Sequence, residues 1–350
     1  NVLMIMVIYT SIYGILPLFK TLAFSVSTFE LKLSTLNLYR TLTTATVFLY
    51  FYSFNLKKDD VYELIRGFSV WASCLCVLIL ILHLSGFSIN SFYESFGFHG
   101  TTRAMSFTGF GYWRTTLGNL CAVAIWGFLF THMAPFSKKP RILVSIIGGL
   151  ACIITLILVG AKTALLSLLA VSILKRRLAF LAVFIGIVAY FFLINNALSL
   201  VDKETTLGSY FHSIGIIEGK KVTVDSRLEK WMILLDEIDE TIEYFVGTLD
   251  TGNGKETYML HAYHNEYLMI FCMGGIIGVL AFLLMLALIS QSLLKITPNY
   301  GIWGLGLLII FLVHGISNSF ISPIALFSYQ ANTFMAFYGI LIGSYASEKP

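Results

Sequence analysis

Two histidines, an asparagine and a glutamate stand together in His261-Ala262-Tyr263-His264-Asn265-Glu266, directly before a long apolar run. An imidazole placed there can take a proton from a hydroxyl near neutral pH, which is the work of a general base. The same composition also marks a membrane interface, where polar residues and tyrosine anchor helix ends. His261, His264 and Glu266 are close enough in sequence to share a metal. There is no HExxH spacing and no second acidic cluster directed at them, so no metal is expected.

A second set of candidates is cationic. Arg103, Arg114, Lys162 and Arg227 flank or interrupt apolar segments, and acidic residues near them are few. Cations in or beside a membrane are costly and call for partners, and an anionic ligand would supply them. Arginine suits such a ligand because its planar fork grips phosphate oxygens through two parallel hydrogen bonds. Plainer roles exist: Arg227 can pair with Asp225 or Glu229 on its own helix, and Arg114 can snorkel to the interface.

Other features are weaker. The segment from Arg103 to Trp113 mixes aromatic residues with glycines, a surface for sugar rings and equally the composition of an interfacial belt. His314-Gly315-Ile316-Ser317-Asn318 and Asn195-Asn196 can line a cavity or serve as caps and interhelical glue. All five cysteines (Cys74, Cys76, Cys121, Cys152 and Cys272) lie in apolar runs without zinc-ligand company, and read as small buried hydrophobes.

The elements that hold these residues are membrane helices. The 350 residues are 57% hydrophobic and 12% charged, with a mean hydropathy of +0.82. A soluble domain carries about 25% charged residues, so the expected fold is all-α and polytopic, with the lipid bilayer as solvent. The net charge of +4 is spread over short clusters between apolar runs, which argues against nucleic acid as a partner.

About ten segments are long and apolar enough to be candidate spans. They cover 2–19, 37–54, 67–86, 113–134, 142–159, 163–174, 178–198, 266–290, 302–321 and 325–345. The opening run lacks a small-residue cleavage pattern and reads as a retained helix. The sixth depends on Gly160-Ala161-Lys162-Thr163 being a turn or a helix break that lines a polar cavity.

Lys57-Lys58 with Arg66, Lys138-Lys139 with Arg141, and Lys175-Arg176-Arg177 alternate correctly if all face the cytoplasm, which puts both termini inside. Residues 199–265 then form one large segment on the opposite face, between N-terminal helices (1–198) and C-terminal helices (266–350). Within it, 225–235 has the spacing of an amphipathic helix capped by Asp225 or Ser226, and 247–254 reads as a loop.

These residues resemble the O-antigen ligase and O-antigen polymerase family, bacterial multi-spanning glycosyltransferases of GT-C-like architecture. The resemblance runs from about Arg103 to about Leu286. Its most specific element is His264-Asn265 followed by Gly275-Ile276-Ile277-Gly278. Companions in the family order are Arg103 before Ser106-Phe107-Thr108-Gly109, the segment Gly160 to Leu166, and Ser226-Arg227-Leu228-Glu229-Lys230-Trp231. Family members usually carry arginine where this chain has Lys162, which keeps the charge and loses the fork.

The resemblance implies that Arg227, Lys162 and Arg103 hold the pyrophosphate of an undecaprenyl-diphosphate-linked oligosaccharide while His264 assists the attacking hydroxyl. His261, Asn265, Glu266 and Arg114 are secondary candidates. It implies inversion at the anomeric carbon, no cofactor and no metal, an inner-membrane enzyme whose site faces the periplasm, and a chain-length regulator as a candidate partner. Polymerase is preferred over ligase because ligases of the family usually have more helices before the Arg103 loop. A transporter of lipid-linked oligosaccharide is the reading from another class, although it calls for internal repeats that the sequence does not display.

Overall fold

The computed structural model describes residues 2–24, 28–54, 56–85, 114–133, 142–159, 162–172, 174, 241–247, 265–296, 298–316 and 329–347. The described residues are all-helical, with no strand. The helices are α1 (Val2–Thr10), α2 (Leu16–Phe24), α3 (Thr28–Tyr52), α4 (Lys58–Leu84), α5 (Arg114–Met133), α6 (Ile142–Val159), α7 (Lys162–Ser172), α8 (Thr241–Val246), α9 (Glu266–Leu294), α10 (Pro298–Gly315) and α11 (Tyr329–Ser347). A π-helical turn, Ser11–Ile15, joins α1 to α2.

Among the described residues, three helical stretches are long and apolar enough to cross a bilayer: Val2–Ala23, Lys58–Leu82 and Glu266–Leu294. Leu117–Thr131, Ile142–Leu156 and Asn299–Gly315 are shorter apolar helices. Together they point to a membrane protein. Helices α3 and α4 begin well before the apolar runs at 37–54 and 67–86. The apolar count measures what can lie in hydrocarbon, whereas the backbone stays helical into the polar flank. Asp59 and Asp60 in the first turn of α4 favour that extension, since carboxylates complement the positive end of the helix dipole. The segment expected at 178–198 and the amphipathic helix expected at 225–235 lie outside the described residues.

Chain contacts group the residues into two compact units, 1–61 with 226–350, and 62–225. In the first unit α3 and α11 lie along one another at the closest range the backbone permits. A Cβ on Gly339 would come 2.7 Å from the Phe48 carbonyl oxygen, and one on Gly343 would collide with that of Tyr52. Two glycines four residues apart present one flat face of α11, the arrangement that lets helices approach in lipid, where the hydrophobic effect gives them no help. The rings of Phe48 and Tyr338 (5.4 Å between centroids) close the seam. Helix α10 joins through Trp303 on Phe337 and Phe311 on Phe334, each pair at 5.1 Å. The Ser292 and Tyr338 hydroxyls, 2.6 Å apart, tie α9 to α11.

In the second unit α5 packs on α6 and on α7, again through small residues. A Cβ on Gly148 of α6 would meet the Phe128 ring and the Ser73 hydroxyl at 2.8 Å, and one on Gly127 of α5 would collide with Ser69. One cysteine departs from expectation: Cys74 is exposed, on the outward face of α4, while Cys76, Cys121, Cys152 and Cys272 are buried. Two residues along a helix is about 200° of rotation, so Cys74 and Cys76 cannot share a face.

The glycine seam gives a direct test. Gly343→Leu forces a side chain into the Tyr52 backbone and should lower stability in detergent by about 1–3 kcal/mol or more, read as a fall in unfolding temperature. Gly149→Ala, where nothing lies within 4 Å, should leave that temperature essentially unchanged.

Candidate functional site

Helix α9 starts at Glu266 because Asn265 stops the chain from being helical any earlier. Asn265 is extended (φ −151°, ψ 112°), and its side-chain oxygen accepts hydrogen bonds from the backbone N–H groups of Tyr267 (3.0 Å) and Leu268 (3.1 Å). That is an N-cap: it satisfies two of the donors that a helix start leaves over. The cap therefore fixes the point at which the polar cluster ends and the membrane helix begins. His264 immediately precedes it in sequence.

Glu266, the first residue of α9, is 1% exposed. Its Oε1 accepts a 2.7 Å hydrogen bond from the Tyr13 hydroxyl. Tyr13 lies in the π turn, and Pro17 accounts for the turn: proline offers no N–H and its ring crowds the carbonyl four residues back, which is that of Tyr13. Widening the helix relieves the crowding, and single π turns of this kind recur at functional sites. Tyr9 and Tyr13, both fully buried, stack at 5.1 Å. The end of α10 arrives at the same place. Tyr267 donates to the Leu312 carbonyl (2.7 Å), and a Cβ on Gly315 would stand 3.2 Å from that of Glu266. His314, fully buried, is next to that glycine.

Farther down α9 the chain turns back on itself, so that a Cβ on Gly278 would stand 3.1 Å from the Ile270 carbonyl oxygen and the Tyr267 and Phe282 rings lie 6.3 Å apart between centroids. Gly275 has φ 56° and ψ −153°, a backbone that side-chain-bearing residues avoid. The short helix α8 ends against this break: Gly247 (φ 80°) follows its last residue, and a Cβ on Gly247 would come 2.7 Å from the Met273 carbonyl carbon. A Cβ on Gly275 would come 2.6 Å from the Val246 nitrogen. Lys20, 7% exposed, fills the junction from α2. Its ammonium donates to the Val246 carbonyl, the last of α8, and to the Met273 carbonyl (2.5 Å), just before the break. Both are helix C-terminal carbonyls that have lost their helical donors, and both helix dipoles turn their negative ends to the cation.

Tyr13 with Glu266 and Lys20 with Met273 are two rungs of one ladder, each pair separated by 253 positions. The first helical rod and the upper part of α9 therefore run in the same direction, in register, across two turns. Seven residues correspond to about 10 Å of helix, which is the spacing of the two rungs along the backbone.

Of the residues singled out from sequence, Asn265 and Glu266 are thus placed: one as cap, the other as the buried carboxylate at the mouth of α9. Lys162 is the first residue of α7 and Val159 the last of α6, and the intervening 160–161 lie outside the described residues. Arg114 is the first residue of α5. His261, His264, Arg103 and Arg227 lie outside the described residues, as does all but Gly247 of the loop expected at 247–254. Sequence reasoning missed Tyr13 and Lys20. Lys20 was legible in principle as the lone cation at the end of the first apolar run, with Pro17 as the sign of an irregular helix there. No protein-family model and no curated protein matches this sequence.

Substitutions at three positions test the geometry. Asn265→Ala should cost about 1 kcal/mol, within the 0.5–2 known for caps, while Asn265→Asp should cost less. Tyr13→Phe strips a hydrogen bond from a buried carboxylate and should cost about 1–3 kcal/mol. Lys20→Met leaves two buried carbonyls without their donor and should cost more than either. Thermal unfolding in detergent measures all three, and a Lys20→Met protein as stable as wild type would remove the junction from the account.

Proposed function

We propose that this chain is a glycosyltransferase of the O-antigen polymerase kind. It transfers an undecaprenyl-diphosphate-linked glycan to a hydroxyl at the non-reducing end of another lipid-linked repeat unit, at the periplasmic face of a bacterial inner membrane. The observation that carries this reading is the joint behaviour of His264-Asn265 and Gly275-Ile276-Ile277-Gly278. Asn265 caps the first arm of α9, and Gly275 makes the reversal against which α8 and Lys20 fit, so both of these motif positions shape the backbone of the same short arm, one at each end.

In this reading the acceptor O–H attacks the anomeric carbon, the bond from that carbon to the diphosphate oxygen breaks, and His264 takes the proton. The configuration inverts. The leaving diphosphate is already activated, and cations can stabilise its charge without a metal. Arg227, Lys162 and Arg103 are the cations assigned to it, with Arg114 in support. The ten-span topology with residues 199–265 on the periplasmic side belongs to the same proposal, as it brings these residues to one face. Transfer of the same donor to lipid A core, the ligase reaction, is the second reading, since the motif is common to both.

The test is genetic. Deleting the gene should leave lipid A core capped by a single repeat unit on a lipopolysaccharide gel, and His264→Ala should fail to restore the ladder despite normal insertion. Uncapped core with polymer accumulating on lipid inside the cell identifies a ligase. An unchanged ladder, or full complementation by His264→Ala, contradicts the proposal. Arg227→Lys should reduce transfer more than a surface substitution does, because the paired grip on phosphate is lost.

A further inference from the structure

Cys76 on α4, Cys121 on α5 and Cys152 on α6 bring their sulfurs to one point inside the second unit. The Cys76 sulfur stands 3.5 Å from that of Cys121 and 4.0 Å from that of Cys152, and all three lie within 4.8 Å of one another. Each residue is fully buried. The three come from three different helices, so no single helical repeat puts them together. The packing around them is close, with Gly148 of α6 against Ser73 and Phe128.

The size of the triangle is informative. A metal held at the centre of three thiolates with bonds of about 2.3 Å requires sulfur separations of about 4 Å. The observed separations bracket that value without a covalent bond between any pair. Zinc would want a fourth nitrogen, sulfur or carboxylate ligand. The next polar groups are hydroxyls instead: Ser73 Oγ lies 3.5 Å from the Cys152 sulfur, and Thr155 is buried one turn along α6. Among the described residues no histidine or carboxylate joins the group. An all-sulfur, three-coordinate site selects a soft ion.

Each sulfur that ligates gives up its proton, and the protons leave to solvent as the ion enters, so binding strengthens as pH rises.

We propose that Cys76, Cys121 and Cys152 form a trigonal site for a soft monovalent d10 ion, copper(I) in chemical class, that links α4, α5 and α6. The site is independent of the glycosyl-transfer reading.

The experiment titrates the reduced, purified full chain in detergent with silver(I), and with copper(I) buffered by a chromogenic chelator. One ion per chain should bind, with ultraviolet thiolate-to-metal absorption, and X-ray absorption of the loaded wild-type protein should give three sulfur neighbours at about 2.3 Å. Cys121→Ala and Cys152→Ala should each weaken binding by more than about 100-fold, the upper range for losing a mere supporting group. Cys74→Ser, on the outward face of α4, should not change it. The wild-type absorption spectrum decides the matter even if a variant fails to fold. Absence of stoichiometric binding, fewer than three sulfurs around the ion, or binding that survives Cys121→Ala but not Cys74→Ser overturns the site.

Discussion

A lysine ammonium inside a membrane helix must find oxygen, and the first unit is arranged around how Lys20 does so. It takes the carbonyls of Val246 and Met273, which are exposed because one helix ends and another breaks. Neither half of this arrangement is stable without the other. A break in hydrocarbon leaves backbone groups unsatisfied, and a lone cation there is equally unfavourable. Brought together they cancel, and α8, Gly247 and Gly275 are fixed by the meeting. The Tyr13–Glu266 rung two turns away then sets the height of the first rod against the start of α9. Broken helices in transporters turn their ends to a substrate ion. Here the ion is the protein's own side chain, which makes the break a rigid element.

This explains why the mouth of α9 is a suitable place for chemistry. Catalytic groups need support from rigid elements, because misplacement of about 1 Å is costly. Asn265 caps α9, Glu266 is held by Tyr13, and α10 closes over it through Tyr267 and Gly315. The proposed polymerase reaction asks for this: a base held in place while cations receive a departing diphosphate.

Much of the fold was legible because lipid leaves little choice. The apolar run 142–159 coincides with α6, whereas 266–290, expected as one span, turns back on itself at Gly275 because that glycine adopts a backbone that ends the helix. Helix starts were less legible, since α3 and α4 run on into polar residues that apolar counting ignores. The polar cluster before a long apolar run was legible, but the cap at Asn265 was not read from it, and neither was the partner of Glu266: Tyr13 is 253 residues away, and no periodicity joins them. Cys76, Cys121 and Cys152 each read as an isolated buried hydrophobe for the same reason, since only the packing of three helices makes them neighbours. The division into 1–198, 199–265 and 266–350 follows polarity along the chain, whereas contacts join the first helices to the last.

The most direct measurement places the purified chain in liposomes with a defined undecaprenyl-diphosphate-linked repeat unit and a chelator of divalent metals, and follows both products. The account predicts oligomers of the repeat unit, with one free undecaprenyl diphosphate released per new glycosidic bond and no need for a metal. Movement of the lipid-linked unit across the bilayer with no new bond, or transfer that stops when the metal is chelated, would contradict it.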